Sequence, residues 1–131
     1  MNRSDLGAEL KRSNNCCQAV LLAFEDLLPY DKESLLMLGS TFGSGNGGMM
    51  GTCGALVGAV QMAGLALEGK NTMRSARMLA ESFARQCGAV RCRDLKGKGA
   101  GAPLCACEDC VRNAIYAYGE IVGLKDTEPS A

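Results

Sequence analysis

Eight cysteines and no histidine set the chemistry open to this chain of 131 residues. A thiol acts as a nucleophile or a metal ligand through its thiolate, so each sulfur is judged by the cations and helix starts around it. Without histidine there is no Ser-His-Asp or Cys-His nucleophile pair, no mixed Cys/His zinc site and no His-ligated haem. What remains is thiol–disulfide exchange, or a metal held by sulfur with carboxylate oxygen in support. In a reducing cytoplasm this many cysteines point to such work rather than to structural disulfides.

Four of the eight have settings that favour a thiolate. Cys53 follows a glycine-rich run in the stretch F-G-S-G-N-G-G-M-M-G-T-C-G-A-L-V-G from Phe42 to Gly58. Thr52 suits an N-cap, which would put Cys53 at the first helical position, where free N–H groups and the positive dipole end favour negative sulfur. Gly45, Gly47, Gly48 and Thr52 are the candidates for holding an anion or small cofactor at that helix start, although the strand and lysine of a phosphate loop are missing. Cys92 lies between Arg91 and Arg93, with Lys96 and Lys98 close by, and nearby cations lower a thiol pKa. Cys107 and Cys16 fall at or near further helix starts. The competing reading for each is an inert buried thiol or a solvated basic loop.

The other four cysteines read differently. Cys17 follows Cys16 directly and points about 100° away from it on a 3.6-residue period, so at most one of the two faces a shared site. Cys87 continues the apolar stripe of its helix and reads as core. Cys105 and Cys110 form, with Cys107, a C-A-C-E-D-C cluster. Cys-x-x-Cys serves as a thioredoxin-like pair or as half of a metal site, and the first needs a βαβ context that is absent. The second would recruit Cys92 or Cys53 as a fourth ligand.

The elements that must position these sulfurs are helical. Ser4 and Asp5 suit a first helix start, and Asn14 or Asn15 caps a second helix running through C-C-Q-A-V-L-L-A-F-E-D-L-L. Asp31 caps a third. A fourth runs from Thr52 to about Leu67, with Gly54 and Gly58 one turn apart, which admits a close neighbour. A fifth covers Thr72 to Cys87 and stops at Gly88. A last helix covers about Glu108 to Val122, stops at Gly123, and leaves 124–131 as a flexible tail. No alternating strand pattern stands out. The expectation is a single all-α domain over 1–131, a bundle of about five helices with a Gly-rich loop before its central helix.

Fourteen basic and fourteen acidic residues cancel, and the chain has no tryptophan, three phenylalanines and three tyrosines. These features argue against nucleic acid and against an anionic membrane surface as partners. No apolar run reaches the length of a membrane span, and the charged N-terminal stretch lacks a secretory apolar core, so the expected compartment is the cytoplasm.

From Asn15 to about Val122 the chain resembles a family of small bacterial and archaeal redox-active proteins named for the motif C, then G-C-A-x-x-G, then C, then C. N-C-C-Q-A-V carries Cys16, G-T-C-G-A-L-V-G carries Cys53, V-R-C-R-D-L-K-G carries Cys92, and C-E-D-C-V-R-N-A carries Cys107. The departures are a threonine between the glycine and Cys53, and a cysteine, Cys110, at a position usually apolar in the family. The resemblance implies a helical fold and a redox or metal role for Cys16, Cys53, Cys92 and Cys107. Two functions follow as expectations. In one, these cysteines exchange thiol for disulfide or pass electrons, with Cys53 or Cys92 attacking and a redox partner protein or small molecule as substrate. In the other, the same four hold zinc or an iron–sulfur cluster.

Overall fold

The computed structural model describes residues 1–97 and 102–130; Lys98, expected beside Cys92, lies outside them. Seven α-helices form among the described residues: α1 Arg3–Leu10, α2 Cys16–Leu22, α3 Lys32–Gly39, α4 Gly54–Ala66, α5 Thr72–Cys87, α6 Cys92–Leu95 and α7 Cys107–Val122. There is no strand among them, and a single isolated bridge joins Thr52 to Arg91. The all-α expectation holds, but the count of about five is low. The extra element is α6, one turn long and too short to show a helical period.

Capping chemistry explains most helix starts. Asn15 and Gln18 form a reciprocal capping box at α2, with Gln18 N donating to Asn15 Oδ1 at 2.8 Å and Asn15 N donating to Gln18 Oε1 at 3.0 Å. Asp31 caps α3 by accepting from Ser34 N at 2.8 Å. Asn2 caps α1, which begins before the Ser4–Asp5 start expected from sequence. Helices α5 and α7 end at Gly88 and Gly123, both left-handed, as expected.

Two boundaries differ from expectation. Helix α2 stops at Leu22 and gives way to a 3-10 turn at Glu25–Leu27 instead of running on to Leu28. Arg3 supplies the cause: its Nη1 donates to the Ala23 carbonyl at 2.8 Å and its guanidinium grips Asp26, drawing the chain out of helical register. The tail is also not loose. Arg3 N donates to the Asp126 carbonyl at 2.7 Å, Ser4 Oγ bonds the Thr127 carbonyl, and Thr127 is buried. Residues 124–130 are therefore docked on α1 and α7; a short polar segment gave no sign of these partners.

Helix α7 lies at the centre, packed on α1, α2, α4 and α5, and α4 packs in turn on α2 and α5. Val20, Leu21, Phe24, Leu79, Phe83, Val111 and Ile115 form the sealed core. Each such Leu, Ile or Phe contributes about 1.5–3 kcal/mol on leaving water. The α2–α4 contact depends on absent side chains. A Cβ at Gly54 would lie 2.6 Å from the Phe42 carbonyl oxygen, and one at Gly58 would lie 2.9 Å from Val20 Cβ. This close approach brings the first turn of α4 against the first turn of α2, where Cys16 sits.

Candidate functional site

The starts of four helices meet at one small cavity. Cys16, Cys92 and Cys107 are the first residues of α2, α6 and α7, and Cys53 is the N-cap of α4. All four line the cavity, with Cys105, Cys110, Leu95 and Lys96, and with Ser44 and Gly45 from the Gly-rich loop. Its volume is about 20 Å³, which is room for about one water molecule. The eight thiols are free of disulfide bonds.

The local architecture differs from the sequence expectation at Thr52. Thr52 does not cap α4; it pairs with Arg91 in the antiparallel bridge. Cys53 N donates to the Val90 carbonyl at 2.8 Å, and Cys92 N donates to the Gly51 carbonyl at 3.0 Å. This β-type pairing holds Thr52 extended and shifts the helix start by one residue. Cys53 then takes the cap position, where the backbone N–H groups of Ala55 and Leu56 act on its sulfur without completing a capping hydrogen bond.

The loop before it is irregular. Ser44, Gly45, Asn46, Gly47 and Met49 all have left-handed backbone angles. Three of these are not glycine, and each costs of order 1 kcal/mol, a strain that packing must hold in place. Turn bonds do part of this: Gly47 N to Gly43 O at 2.8 Å, Met49 N to Ser44 O at 2.7 Å and Gly51 N to Gly45 O at 3.0 Å. Of the residues expected to hold an anion or cofactor, Gly45 lines the cavity, Gly47 and Gly48 face open space, and Thr52 is engaged with Arg91.

The electrostatics order the sulfurs in a row. Cys16 sits between Cys107 and Cys53, within hydrogen-bonding reach of both. Its own pKa is driven far up, chiefly because its S–H bonds the Cys107 and Cys53 sulfurs and because it is buried. The flanking pair moves the other way. The Cys53 thiol is held down to about 3 by S–H bonds from Cys110 and Cys16, against the cost of burial. Cys107 is held down to about 6 by the Cys16 S–H, against burial, with Lys96 and Lys11 adding positive charge. Burial and these contacts thus raise the central thiol and lower the two that flank it.

Cys92 departs from expectation. Burial raises its pKa, and Lys96 opposes this only in part. Arg93 is turned away, its Nη1 donating to Met50 Sδ at 3.8 Å. The basic sequence around Cys92 therefore does not make it a thiolate. Cys17 points elsewhere, as its spacing requires, and its Sγ donates to Gln61 Oε1 at 3.4 Å. Burial and the Cys53 charge push its pKa up to about 12.

A second sulfur cluster adjoins the first. The sulfurs of Cys87, Cys105 and Cys110 lie within 4.8 Å of one another. Cys87 was expected to be core, and it is buried, but its sulfur belongs to this group. Its pKa is lowered to about 7 by the Cys110 S–H, against burial, with Asn113 Nδ2 donating at 3.2 Å. The Cys105-x-Cys107-x-x-Cys110 run is divided: Cys107 meets Cys16, Cys105 meets Cys87, and Cys110 lies between Cys53 and Cys87 and joins the two groups. Asn113, three residues after Cys110 on the same face of α7, was the polar sign of this cluster within the sequence. The four cysteines expected to share a metal line one cavity, but the group drawn close enough to share an ion, among the described residues, is this other one.

No described helix is long and apolar enough to cross a membrane. The model of the family described as putative redox-active protein (C_GCAxxG_C_C) matches residues 14–121. No curated protein and no solved structure matches the chain.

Proposed function

Because this chain belongs to the redox-active C_GCAxxG_C_C family, we propose that it exchanges thiols for disulfides with a partner through the row Cys107–Cys16–Cys53. What supports this most is the meeting of Cys16, Cys53 and Cys107, from the starts of three helices, at one small cavity. Cys107 is half-buried, whereas Cys16 and Cys53 are buried, so Cys107 is the sulfur a partner reaches. It is also the attacking group best suited to neutral pH, because a thiol whose pKa lies near ambient combines thiolate fraction with nucleophilicity.

The Cys107 thiolate attacks one sulfur of a partner disulfide, the partner S–S bond breaks, and the released thiolate takes a proton from solvent. Cys16 then attacks the Cys107 sulfur of the mixed disulfide, and its proton passes to the partner thiolate that departs. The second partner sulfur leaves and is protonated. The protein gains a Cys16–Cys107 disulfide, the partner gains two thiols, and two electrons have moved. Cys53, in hydrogen-bond contact with Cys16, holds that thiol in the row. Cys92 closes the wall of the cavity with its thiol protonated. A reducing compartment such as the cytoplasm would return the Cys16–Cys107 disulfide to thiols.

A zinc or iron–sulfur site built from Cys16, Cys53, Cys92 and Cys107 is the weaker reading. A cavity of about 20 Å³ suits thiols in contact, and an iron–sulfur cluster would require the walls to part. The test is alkylation of Cys107 followed by mass spectrometry across a pH series. The rate should rise with a midpoint near pH 6 and move toward the ordinary thiol value in Cys16→Ala. A midpoint near 9 in the unaltered protein would remove the proposal.

A further inference from the structure

The three sulfurs beside this row form no disulfide in the exchange just described, although Cys110 also meets Cys53. Cys87 comes from the last residue of α5, Cys105 from the segment before α7, and Cys110 from the first turn of α7. Their mutual separations, within 4.8 Å, match what one metal ion requires. An ion about 2.3 Å from each sulfur in a trigonal plane sets the sulfurs about 4 Å apart. No fourth Cys, Asp or Glu among the described residues joins them within that distance. An S3 set suits Cu(I), a soft cation content with three thiolates, whereas zinc would need a water as its fourth ligand.

Two further features fit a ligand. Asn113 Nδ2 donates to Cys87 Sγ at 3.2 Å, the kind of outer hydrogen bond that orients a metal-bound thiolate and offsets its charge. Cys105 is only half-buried, which gives an ion a route in, whereas Cys87 and Cys110 are sealed. Leu104 and Cys105 both donate their backbone N–H to the Leu95 carbonyl, at 2.8 and 3.3 Å, which fixes the segment carrying the outer ligand.

We infer that Cys87, Cys105 and Cys110 form a binding site for one Cu(I) ion, adjoining the exchange row, whose cavity Cys105 and Cys110 also line. On binding, three S–H bonds give way to three S–Cu bonds and three protons pass to solvent. Copper enters and stays as Cu(I), so no electron moves.

The test titrates the full-length protein, reduced and without oxygen, with Cu(I) against a chromophoric Cu(I) chelator, and in parallel with Zn2+ against a zinc indicator. Circular dichroism confirms that each variant is folded. One equivalent of Cu(I) should bind more tightly than Zn2+. Cys87→Ser and Cys105→Ser should each weaken Cu(I) by more than the roughly 100-fold that outer-shell changes reach, and Asn113→Ala by about 10-fold. Cys16→Ser and Cys107→Ser should leave it within about twofold, since neither supplies a ligand. Equal weakening by Cys16→Ser would overturn the assignment, as would tighter zinc binding that is lost in Cys53→Ser, or no competition with the chelator. These readings are independent of Cys107 alkylation, so the exchange proposal and the metal site stand or fall separately.

Discussion

Thr52 and Arg91 pair across a single antiparallel bridge, and the residue after each is a cysteine of the cavity. The two backbone bonds beside the bridge, Cys53 N to Val90 O and Cys92 N to Gly51 O, tie the start of α4 to the start of α6. A contact of six residues, Gly51, Thr52 and Cys53 against Val90, Arg91 and Cys92, thus gathers sulfurs that are far apart in the chain. It also frees Cys53 from the helix interior, so that its sulfur lies at the open end of α4 and not along its side.

Gly45 fits under this bridge and tolerates no side chain. Its φ is +57°, and a Cβ would sit 2.6 Å from Cys92 Cβ. Gly45→Ala is expected to cost about 1–3 kcal/mol through overpacking, with added backbone strain. Cys92 should become easier to alkylate. Gly48, with open space around it, is the control: Gly48→Ala should change stability by no more than about 0.5 kcal/mol. Chemical denaturation of both variants checks this, and equal losses would contradict it.

Asn15 holds Cys16 in place through the capping box, and its Nδ2 also donates to the Gly39 carbonyl at 3.1 Å. Asn15→Ala should lower stability by about 1 kcal/mol. The urea midpoint should fall with the slope of the transition unchanged. Because α2 begins at Cys16, fraying of this turn should also expose that thiol, and its alkylation rate should rise more than that of Cys17.

Cys17 makes stability fall in alkali. Its pKa is raised from 9.0 to about 12, so above pH 9 the unfolded chain sheds this proton while the folded chain keeps it. The unfolded state then binds fewer protons, and stability drops as pH rises from 9 toward 12. The full effect of one such group is about 4 kcal/mol at most. Denaturation across this range should show a steeper loss in the unaltered protein than in Cys17→Ala. Parallel curves would mean that Cys17 ionises normally.

Much of this was legible in the residues themselves. Asn15, Asp31, Gly88 and Gly123 marked helix ends through their own capping chemistry, and Gly54 and Gly58 announced a close helix contact. The adjacency of Cys16 and Cys17 already required that they diverge. What could not be read was long-range. Thr52 looks like an N-cap until Arg91 arrives to pair with it. Cys92 looks like a thiolate until burial is known, because charge is visible in sequence and desolvation is not. Cys87 continues an apolar stripe, and only the packing of α5 on α7 sets its sulfur beside Cys110. The tail is polar and short, and its docking depends on Arg3 at the opposite end of the chain.

The direct test of the exchange row is a disulfide map. The reduced protein is treated with a small-molecule disulfide, quenched with acid, digested and sequenced by tandem mass spectrometry, which separates Cys16 from Cys17. A Cys16–Cys107 link should be the first intramolecular disulfide, with Cys53 still reduced and the link absent from Cys107→Ser. A first link among Cys87, Cys105 and Cys110, or a stable adduct on Cys107 that Cys16 never resolves, would contradict it.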